Sequence, residues 1–423
     1  MNFQPYAISQ SQVIGTFLPE QILRGKVLDI LPNRSALIQM GTKQFAAKID
    51  KVEPPLKIGQ EYLFQIRKNS DPVLARVIRQ DDEPHGTGRT MADDVLDAFR
   101  MKKEPLAQQM IQAFLDHGDP ISRSTAVSAR SLLGTAADFP KDIQAIRWLL
   151  NRSLPLTPVF FQIVKASMGQ ESLSAQLVHL RSGLAEAGIH SPAAEALERT
   201  LGKLSESLKS VSHSSGTEPE NPFLNRLKLL GLGFEQNLRN QIESGGSVKE
   251  TGTVKEKLLA LLHDSKIPHS IRRLAYEAVQ KITGEQIQMA SADPLVAQFS
   301  LHIPVPMREE IRDVSVYWEG KRDKKGMVDP DTCRILLYLD LRQLKETLIS
   351  IRVQHRDVTL TVQNGSHDLG GWLRAEEPKL RERLSALNYH LVSVTQTKRL
   401  NPHLVDKATK ALSFSDYNLD VKV

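Results

Sequence analysis

The sequence from Ile335 to Thr397, ILLYLDLRQLKETLISIRVQHRDVTLTVQNGSHDLGGWLRAEEPKLRERLSALNYHLVSVTQT, decides how the C-terminal part of the chain is organised. Apolar residues recur at every second position in three short runs: Ile335, Leu337, Leu339 and Leu341, then Ile349, Ile351 and Val353, then Val358, Leu360 and Val362. A period of two is typical of strands that bury one face. The short link from Gln354 to Asp357 separates the last two runs and predicts a hairpin.

The period then changes to that of a helix. Leucines from Leu369 to Leu387 lie on one helical face, and charged residues lie on the others. Because Pro378 falls inside this run, we expect a kink or a new helix start there. Asn388 tolerates the left-handed backbone conformation and is therefore suited to end the helix. Residues 391–394 predict one more strand, so the predicted order is strand, hairpin, helix, strand.

In order and spacing, these residues resemble the C-terminal domain of flagellar hook-length control proteins (FliK-like). In that family, two strands of the type valine, polar, valine precede a helix whose second half reads Leu-Pro-x-Leu-Arg-x-x-Leu. A glycine and a short strand follow that helix. Here Leu380, Arg381 and Leu384 follow Pro378, and Asn388 stands in the place of the glycine. The resemblance covers about the last quarter of the chain and implies a hook-length-control-like α/β domain at 293–423.

The resemblance also implies a protein partner. The family's domain contacts the cytoplasmic part of the flagellar type III export gate and switches export from rod and hook subunits to filament subunits. The family usually carries a Pro-x-Leu-Gly motif just before the first of its paired strands. Here Gln343, Leu344 and Lys345 keep the leucine and lose the proline and the glycine. We therefore expect partner binding at Gln343, Leu344 and Lys345, by complementary surfaces and without a cofactor.

Length and composition fit a multidomain α+β protein. The 423 residues have room for two or three domains, and 40% of them are apolar. No run approaches the roughly 18 apolar residues of a membrane span, and the sequence up to Gly25 has no basic start followed by an apolar core. These features predict a cytoplasmic protein, with export through a type III pathway as the alternative. Cys333 is the only cysteine and is predicted to be a small buried hydrophobic residue.

The N-terminal part predicts a small barrel. After a leader at 1–20, five short strand-like runs separated by turn residues occupy 21–80, which is typical of an OB- or SH3-like β-barrel. Nucleic-acid binding through this barrel and the net charge of +6 is the alternative function. That function needs exposed aromatic rings. Only Phe45, Tyr62 and Phe64 are available, and core burial is the favoured use of the last two.

The middle of the chain has helical periodicity. We predict a helical domain at 90–208 with Trp148 in its core, a serine-rich flexible linker at 209–221, and further helical segments at 222–290. Because hook-length control proteins commonly have a long, flexible N-terminal region, folded domains here favour a switch or adaptor role over length measurement. The last residues of the chain alternate again and predict an edge strand.

The chain carries no recognisable catalytic motif. Gly231-Leu232-Gly233 lies in a helical pattern and lacks the third glycine of a dinucleotide-binding loop. His263 and His269 have no third ligand nearby in the sequence, so we expect solvated loop histidines and no metal site. We therefore expect a protein that is not an enzyme.

Overall fold

In the computed structural model, the described residues are 17, 19–31, 34–40, 43–50, 55–68, 73–80, 90–169, 171–206, 222–245, 249–289, 296–307, 310–322 and 328–409. They form two compact units, the first ending at Phe161 and the second beginning at Gln162. This division falls inside the predicted helical domain 90–208. The limits given above for each domain stay a prediction. The predicted linker 209–221, the C-terminal edge strand and nearly all of the leader lie outside the described residues.

The first unit begins with a closed five-stranded barrel, as predicted. The strand bounds are β1 Ile22–Leu31, β2 Ser35–Met40, β3 Lys43–Ile49, β4 Glu61–Lys68 and β5 Val73–Gln80. The strands follow the order β1-β2-β3-β5-β4, and β1 pairs with β4 to close the barrel. Strands β3 and β5 are parallel, and the other pairs are antiparallel.

Helices follow the barrel. Their bounds are α1 Met91–Ala98, α2 Pro105–Asp116, α3 Arg123–Leu132, α4 Phe139–Asn151 and α5 Pro158–Ser167. Thr90 caps α1 in a capping box with Asp93, in which the Thr90 hydroxyl accepts from the Asp93 amide and the Asp93 carboxylate accepts from the Thr90 amide. Trp148 is 1% exposed, so its predicted place in the core is confirmed. The boundary between the two units falls within α5.

The second unit contains six more helices among its described residues before the sheet begins. Their bounds are α6 Leu173–Glu186, α7 Pro192–Glu206, α8 Pro222–Leu230, α9 Phe234–Glu243, α10 Val254–His263 and α11 His269–Met289. One hydrophobic core joins buried residues of helices on both sides of the serine-rich segment, such as Leu180, Leu197 and Leu258. Within the predicted helical segments at 222–290, α8 and α9 are separate helices, because Gly231 has a positive φ of 93° that ends α8.

A six-stranded sheet completes the second unit. The bounds of its strands and of the two helices among them are β6 Val296–Met307, β7 Glu310–Arg322, β8 Val328–Leu341, β9 Lys345–Gln354, β10 Asp357–Asn364, α12 Gly370–Ala386, β11 His390–Thr397 and α13 Pro402–Thr409. The strand order is β11-β10-β9-β8-β7-β6, antiparallel except for the parallel pair of β10 and β11. Buried residues of β6 and β7 pack into the helical core, and α13 covers part of the sheet around Tyr317 and Leu348.

The predicted order strand, hairpin, helix, strand is confirmed in β8, the hairpin of β9 and β10, helix α12 and strand β11. His355 and Arg356 both have positive φ, as a two-residue hairpin turn of type I′ requires. Helix α12 continues through Pro378 without a new start. Asn388 has a φ of 60°, and the amides of Asn388 and Tyr389 donate to the carbonyls of Ser385 and Leu384. This is a Schellman end, so the predicted role of Asn388 is confirmed.

Candidate partner-binding site

The residues expected to bind a partner lie in the connection between β8 and β9. Arg342, Gln343 and Leu344 form a turn, and Lys345 is the first residue of β9. Gln343 and Lys345 are exposed, and Leu344 is half-buried. Lys345 has a φ of 55°, a left-handed conformation that glycine adopts at lower cost than lysine. The turn therefore presents side chains to solvent on a backbone of defined shape.

A buried asparagine holds this turn in place. The side chain of Asn364, at the end of β10, is 0% exposed. Its Nδ2 donates to the Leu344 carbonyl at 2.6 Å and to Thr347 Oγ1 at 2.7 Å. Its Oδ1 accepts from the amides of Ser366 at 2.9 Å and His367 at 2.8 Å. One side chain thus ties the β8–β9 turn to the loop that leads into α12.

Further side-chain amides extend this network across the same end of the sheet. Gln396 of β11 donates to the His367 carbonyl at 2.7 Å and accepts from the Leu369 amide at 2.7 Å. Gln363 of β10 accepts from the amide of Asn401, just before α13, at 2.8 Å. Because these amides carry no charge, their hydrogen bonds persist across the physiological pH range. The candidate site therefore rests on a rigid support.

The sequence analysis did not identify this network. Asn364-Gly365-Ser366 has the composition of a turn, and that is the only local signal. The main partner of Asn364, the Leu344 carbonyl, lies 20 residues upstream. Only the pairing of β9 with β10 brings the two together.

One aromatic hydroxyl lies near the turn. The Tyr338 hydroxyl donates to Glu346 Oε1 at 2.7 Å. Burial raises the pKa of Tyr338, and the hydrogen bond and negative charge of Glu346 raise it further. Tyr338 therefore remains a neutral donor at physiological pH and fixes the orientation of the Glu346 carboxylate.

A groove opens at the same end of the sheet, between the N-terminal half of α12 and β11. Its volume is about 310 Å³. Its lining combines apolar side chains with charges of both signs: Asp368, Gly370, Leu373, Arg374, Glu377, Val394, Gln396 and Lys398. No residue of the β8–β9 turn lines it. The groove is thus a second surface, set apart from the turn.

A second polar cluster is buried between α11 and the first hairpin of the sheet. Lys281 is 4% exposed, and its Nζ donates to the carbonyls of Ser167 at 3.1 Å and Gly169 at 3.2 Å, at the end of α5. Burial lowers the pKa of Lys281, although the charges of Glu285, Asp313 and Glu171 oppose this effect. Glu285 accepts from the amide of His302 at 3.2 Å. The cluster joins α5, α11 and β6.

His302 also contacts Glu285 through its ring, with 3.0 Å between Nδ1 and Oε1. Burial acts to lower the pKa of His302, but the hydrogen bond and charge of Glu285 outweigh it, so the pKa is raised. Lys281 lowers this pKa and Asp313 raises it. The Lys281 and Glu285 side chains form hydrogen bonds with nearby backbone groups. These contacts give the cluster a structural role.

The remaining candidates from the sequence have structural uses. Phe45, Tyr62 and Phe64 are 9%, 1% and 0% exposed, so all three rings lie in the barrel core. Cys333 is 6% exposed, and burial together with Asp329 and Asp331 raises the pKa of its thiol to about 11. Among the described residues, no three His, Cys, Asp or Glu side chains are grouped to hold a metal ion. No helix in the described ranges is both long and apolar enough to cross a membrane.

Comparison with known proteins gives one match among curated sequences. No protein-family model matches the chain. The "Uncharacterized protein YlqG" of Bacillus subtilis (strain 168) is 28% identical over 207 residues. The aligned part is 48% of this chain and 35% of the relative, so the chain spans about a third of the relative's length. No solved structure matches the chain.

Proposed function

We propose that this protein is a non-catalytic interaction protein that acts on substrate switching at the flagellar type III export gate, through the turn at Gln343 to Lys345. The observation that carries the proposal is the φ of 55° at Lys345. Hook-length control proteins have glycine at this point of their Pro-x-Leu-Gly motif. Glycine adopts this conformation most readily, so the backbone here suits the family's motif although lysine has replaced the glycine.

The support of the turn also favours a binding role. An exposed turn that is fixed by a fully buried side chain loses little conformational freedom on binding, because it is already ordered. Asn364 fixes the Leu344 carbonyl, and the amide network fixes the neighbouring loop. Leu344, which is half-buried, offers an apolar contact between polar neighbours. The site therefore suits recognition of a protein surface in the cytoplasm.

In this proposal the barrel is of the OB type and serves docking or structural support. A five-stranded barrel closed in the order β1-β2-β3-β5-β4 favours that type over an SH3-like barrel. Nucleic-acid binding through the barrel is the alternative function. Burial of Phe45, Tyr62 and Phe64 leaves these rings unavailable for base stacking, so the barrel offers this alternative less support.

The test is calorimetric titration of the full chain with the cytoplasmic domain of the export gate. We expect saturable binding that Leu344→Asp abolishes, because a charge at this position cannot be buried against a partner without cost. The matched control is Leu387→Asp, which makes the same change at a leucine that is 67% exposed at the end of α12. This control should bind like the unmodified chain.

Absence of binding by the unmodified chain, or equal binding by both variants, would reject the proposal. The alternative function is tested on the same protein with single-stranded and duplex DNA and RNA at about 150 mM salt. Nucleic-acid binding that is lost when Lys43, Lys48, Arg67 and Arg76 are changed to glutamate would place the function in the barrel instead.

A further inference from the structure

The outer edge of β11 is open over part of its length. Among the described residues, β11 pairs only with β10 and is the last strand of the sheet. Its first part is blocked in two ways. The pairing register passes from Leu391 to Ser393 between Val358 and Thr359, so Val392 forms a bulge. The guanidinium of Arg381 donates to the Leu391 carbonyl and so occupies the edge there.

Within the described residues, no strand pairs with the outer side of the rest of this edge, from Ser393 to Thr397. Natural edge strands avoid unwanted pairing by means of charged side chains, prolines, bulges or a cover. Ser393, Val394, Thr395, Gln396 and Thr397 include no charged residue and no proline. Their register with β10 is regular, since the only irregularity lies between Val358 and Thr359. A segment of extended backbone could therefore add to this edge.

The flank of α12 runs along the same edge. Leu369, at the start of α12, donates to Gln396, and Arg381, further along, donates to the Leu391 carbonyl. The helix is therefore antiparallel to β11. Arg374 lies seven residues before Arg381, about two turns away on the same side of the helix. It is exposed and lines the groove beside the unprotected residues.

The acidic and basic residues that line the groove differ in how many of them have an ion-pair partner. Of the two acidic groups, Glu377 forms an ion pair with Arg381, whereas Asp368 accepts a hydrogen bond from a neutral donor, the Gly370 amide, and keeps its negative charge. The basic groups, Arg374 and Lys398, have no ion-pair partner within the part of the chain that the structure describes. The groove therefore has two available positive charges beside apolar contacts from Leu373 and Val394.

We propose that the edge of β11 from Ser393 to Thr397, together with this groove, binds an extended acidic peptide segment of a partner protein by strand addition. Backbone hydrogen bonds to β11 supply sequence-independent affinity. Because side chains of a strand alternate in direction, every second residue of the peptide faces the α12 side of the sheet. Acidic side chains at those positions pair with Arg374 and Lys398. The surface is separate from the β8–β9 turn, so its partner is not tied to the export gate.

The test uses the full chain and three blocked peptides in which valine or threonine alternates with glutamate, lysine or glutamine. Binding is followed by fluorescence anisotropy. We expect the glutamate peptide to bind at least about tenfold more tightly than the lysine peptide, since opposite charges meet only in the first case. The double variant Arg374→Glu with Lys398→Glu should reverse this preference. The control is the double variant Arg352→Glu with Arg383→Glu, which changes exposed arginines that do not line the groove. This control should keep the preference for the glutamate peptide.

Two further measurements separate strand addition from general attraction of charges. Two glutamate peptides are methylated at alternate backbone nitrogens, one at the odd positions and one at the even positions. Because only every second N–H of an added strand faces β11, just one of the two peptides should lose binding. Hydrogen exchange at Ser393 to Thr397 should slow when the unmethylated peptide binds. Equal binding of the three peptides, equal effects of the two double variants, or binding that tolerates methylation in both registers would overturn the proposal. So would a stable dimer of the chain alone whose contact protects β11, because the edge would then be occupied by a second copy.

The outcome of the peptide-binding measurements is independent of the outcome of the export-gate titration. Binding of the gate domain that depends on Leu344 but not on Arg374 and Lys398 would leave the proposed function intact, and the peptide measurements alone would decide this inference. Conversely, peptide binding at β11 without binding of the gate domain would support the strand-addition site and reject the proposed function.

Discussion

Replacing Asn364 by alanine is expected to loosen the end of the sheet that carries the candidate site. Apart from a longer contact with the Glu346 carbonyl at 3.4 Å, the variant loses four hydrogen bonds, those to the Leu344 carbonyl, Thr347 Oγ1 and the amides of Ser366 and His367. At about 1 kcal/mol each, the loss is about 4 kcal/mol. Ser366 and His367 are exposed and can bond to water instead, which reduces the expected loss to about 3 kcal/mol.

Hydrogen exchange of the backbone amides in β9 and β10 measures this loss locally. A loss of about 3 kcal/mol corresponds to exchange that is about a hundredfold faster for amides that open with this end of the sheet. The control is Asn240→Ala, which removes an exposed asparagine from α9 and should change exchange in β9 and β10 by less than about twofold. A loss below about 1 kcal/mol for Asn364→Ala would refute the assignment of Asn364 as the support of the turn.

Asn364→Asp tests the direction of the hydrogen bonds. An ionised carboxylate cannot donate to the Leu344 carbonyl, whereas a protonated carboxyl can. The variant should therefore be less stable than the unmodified chain at neutral pH and recover part of the difference as the pH falls through the pKa of the new carboxyl. A variant whose deficit does not change with pH would show that donation to Leu344 contributes little.

Three further predictions concern other residues of the second unit. At Lys345, the φ of 55° predicts that Lys345→Val is less stable than Lys345→Gly by about 1 to 2 kcal/mol, measured by urea unfolding; equal stability would contradict the left-handed backbone. Because the pKa of His302 is raised, its stabilising effect is full below about pH 6.5 and is lost as the pH rises through the higher folded-state pKa. His302→Gln, which keeps a donor for Glu285 but does not titrate, should show a flatter stability profile across that range; an unchanged profile would show that another group is responsible. Cys333, with a pKa of about 11, should resist a thiol reagent at about pH 8 until urea unfolds the chain, and fast reaction in the folded state would contradict its burial.

Much of the local structure could be predicted from the sequence. The alternation at Ile349, Ile351 and Val353 predicted β9, because a strand that buries one face needs an apolar residue at every second position. Asn388 predicted the end of α12, because its side chain tolerates a positive φ that most residues avoid. These features depend on interactions between residues that are close in the sequence. They can therefore be predicted from the sequence alone.

Part of the candidate site could also be anticipated. The position of Gln343 to Lys345 between two strands placed these residues in an exposed connection. In the barrel, Tyr62 and Phe64 share one strand face, which favoured their burial in the core, and their exposures of 1% and 0% confirm it. The left-handed backbone at Lys345 could not be read from the sequence, because lysine has no preference for that conformation.

The sequence by itself determined the strands, most of the helices and their ends, since periodicity and capping act over a few residues. Only the tertiary structure decided which distant segments meet. Leu180 and Leu258 share one core across the serine-rich segment, and Asn364 supports a turn 20 residues upstream. Likewise, the position of β11 as an edge strand beside α12 follows from the tertiary structure. The crossover through α12 places β11 parallel to β10 at the end of the sheet. The physical reason is that apolar burial and hydrogen bonding depend on distance in space, and many distant pairings satisfy the same local pattern until the whole chain packs.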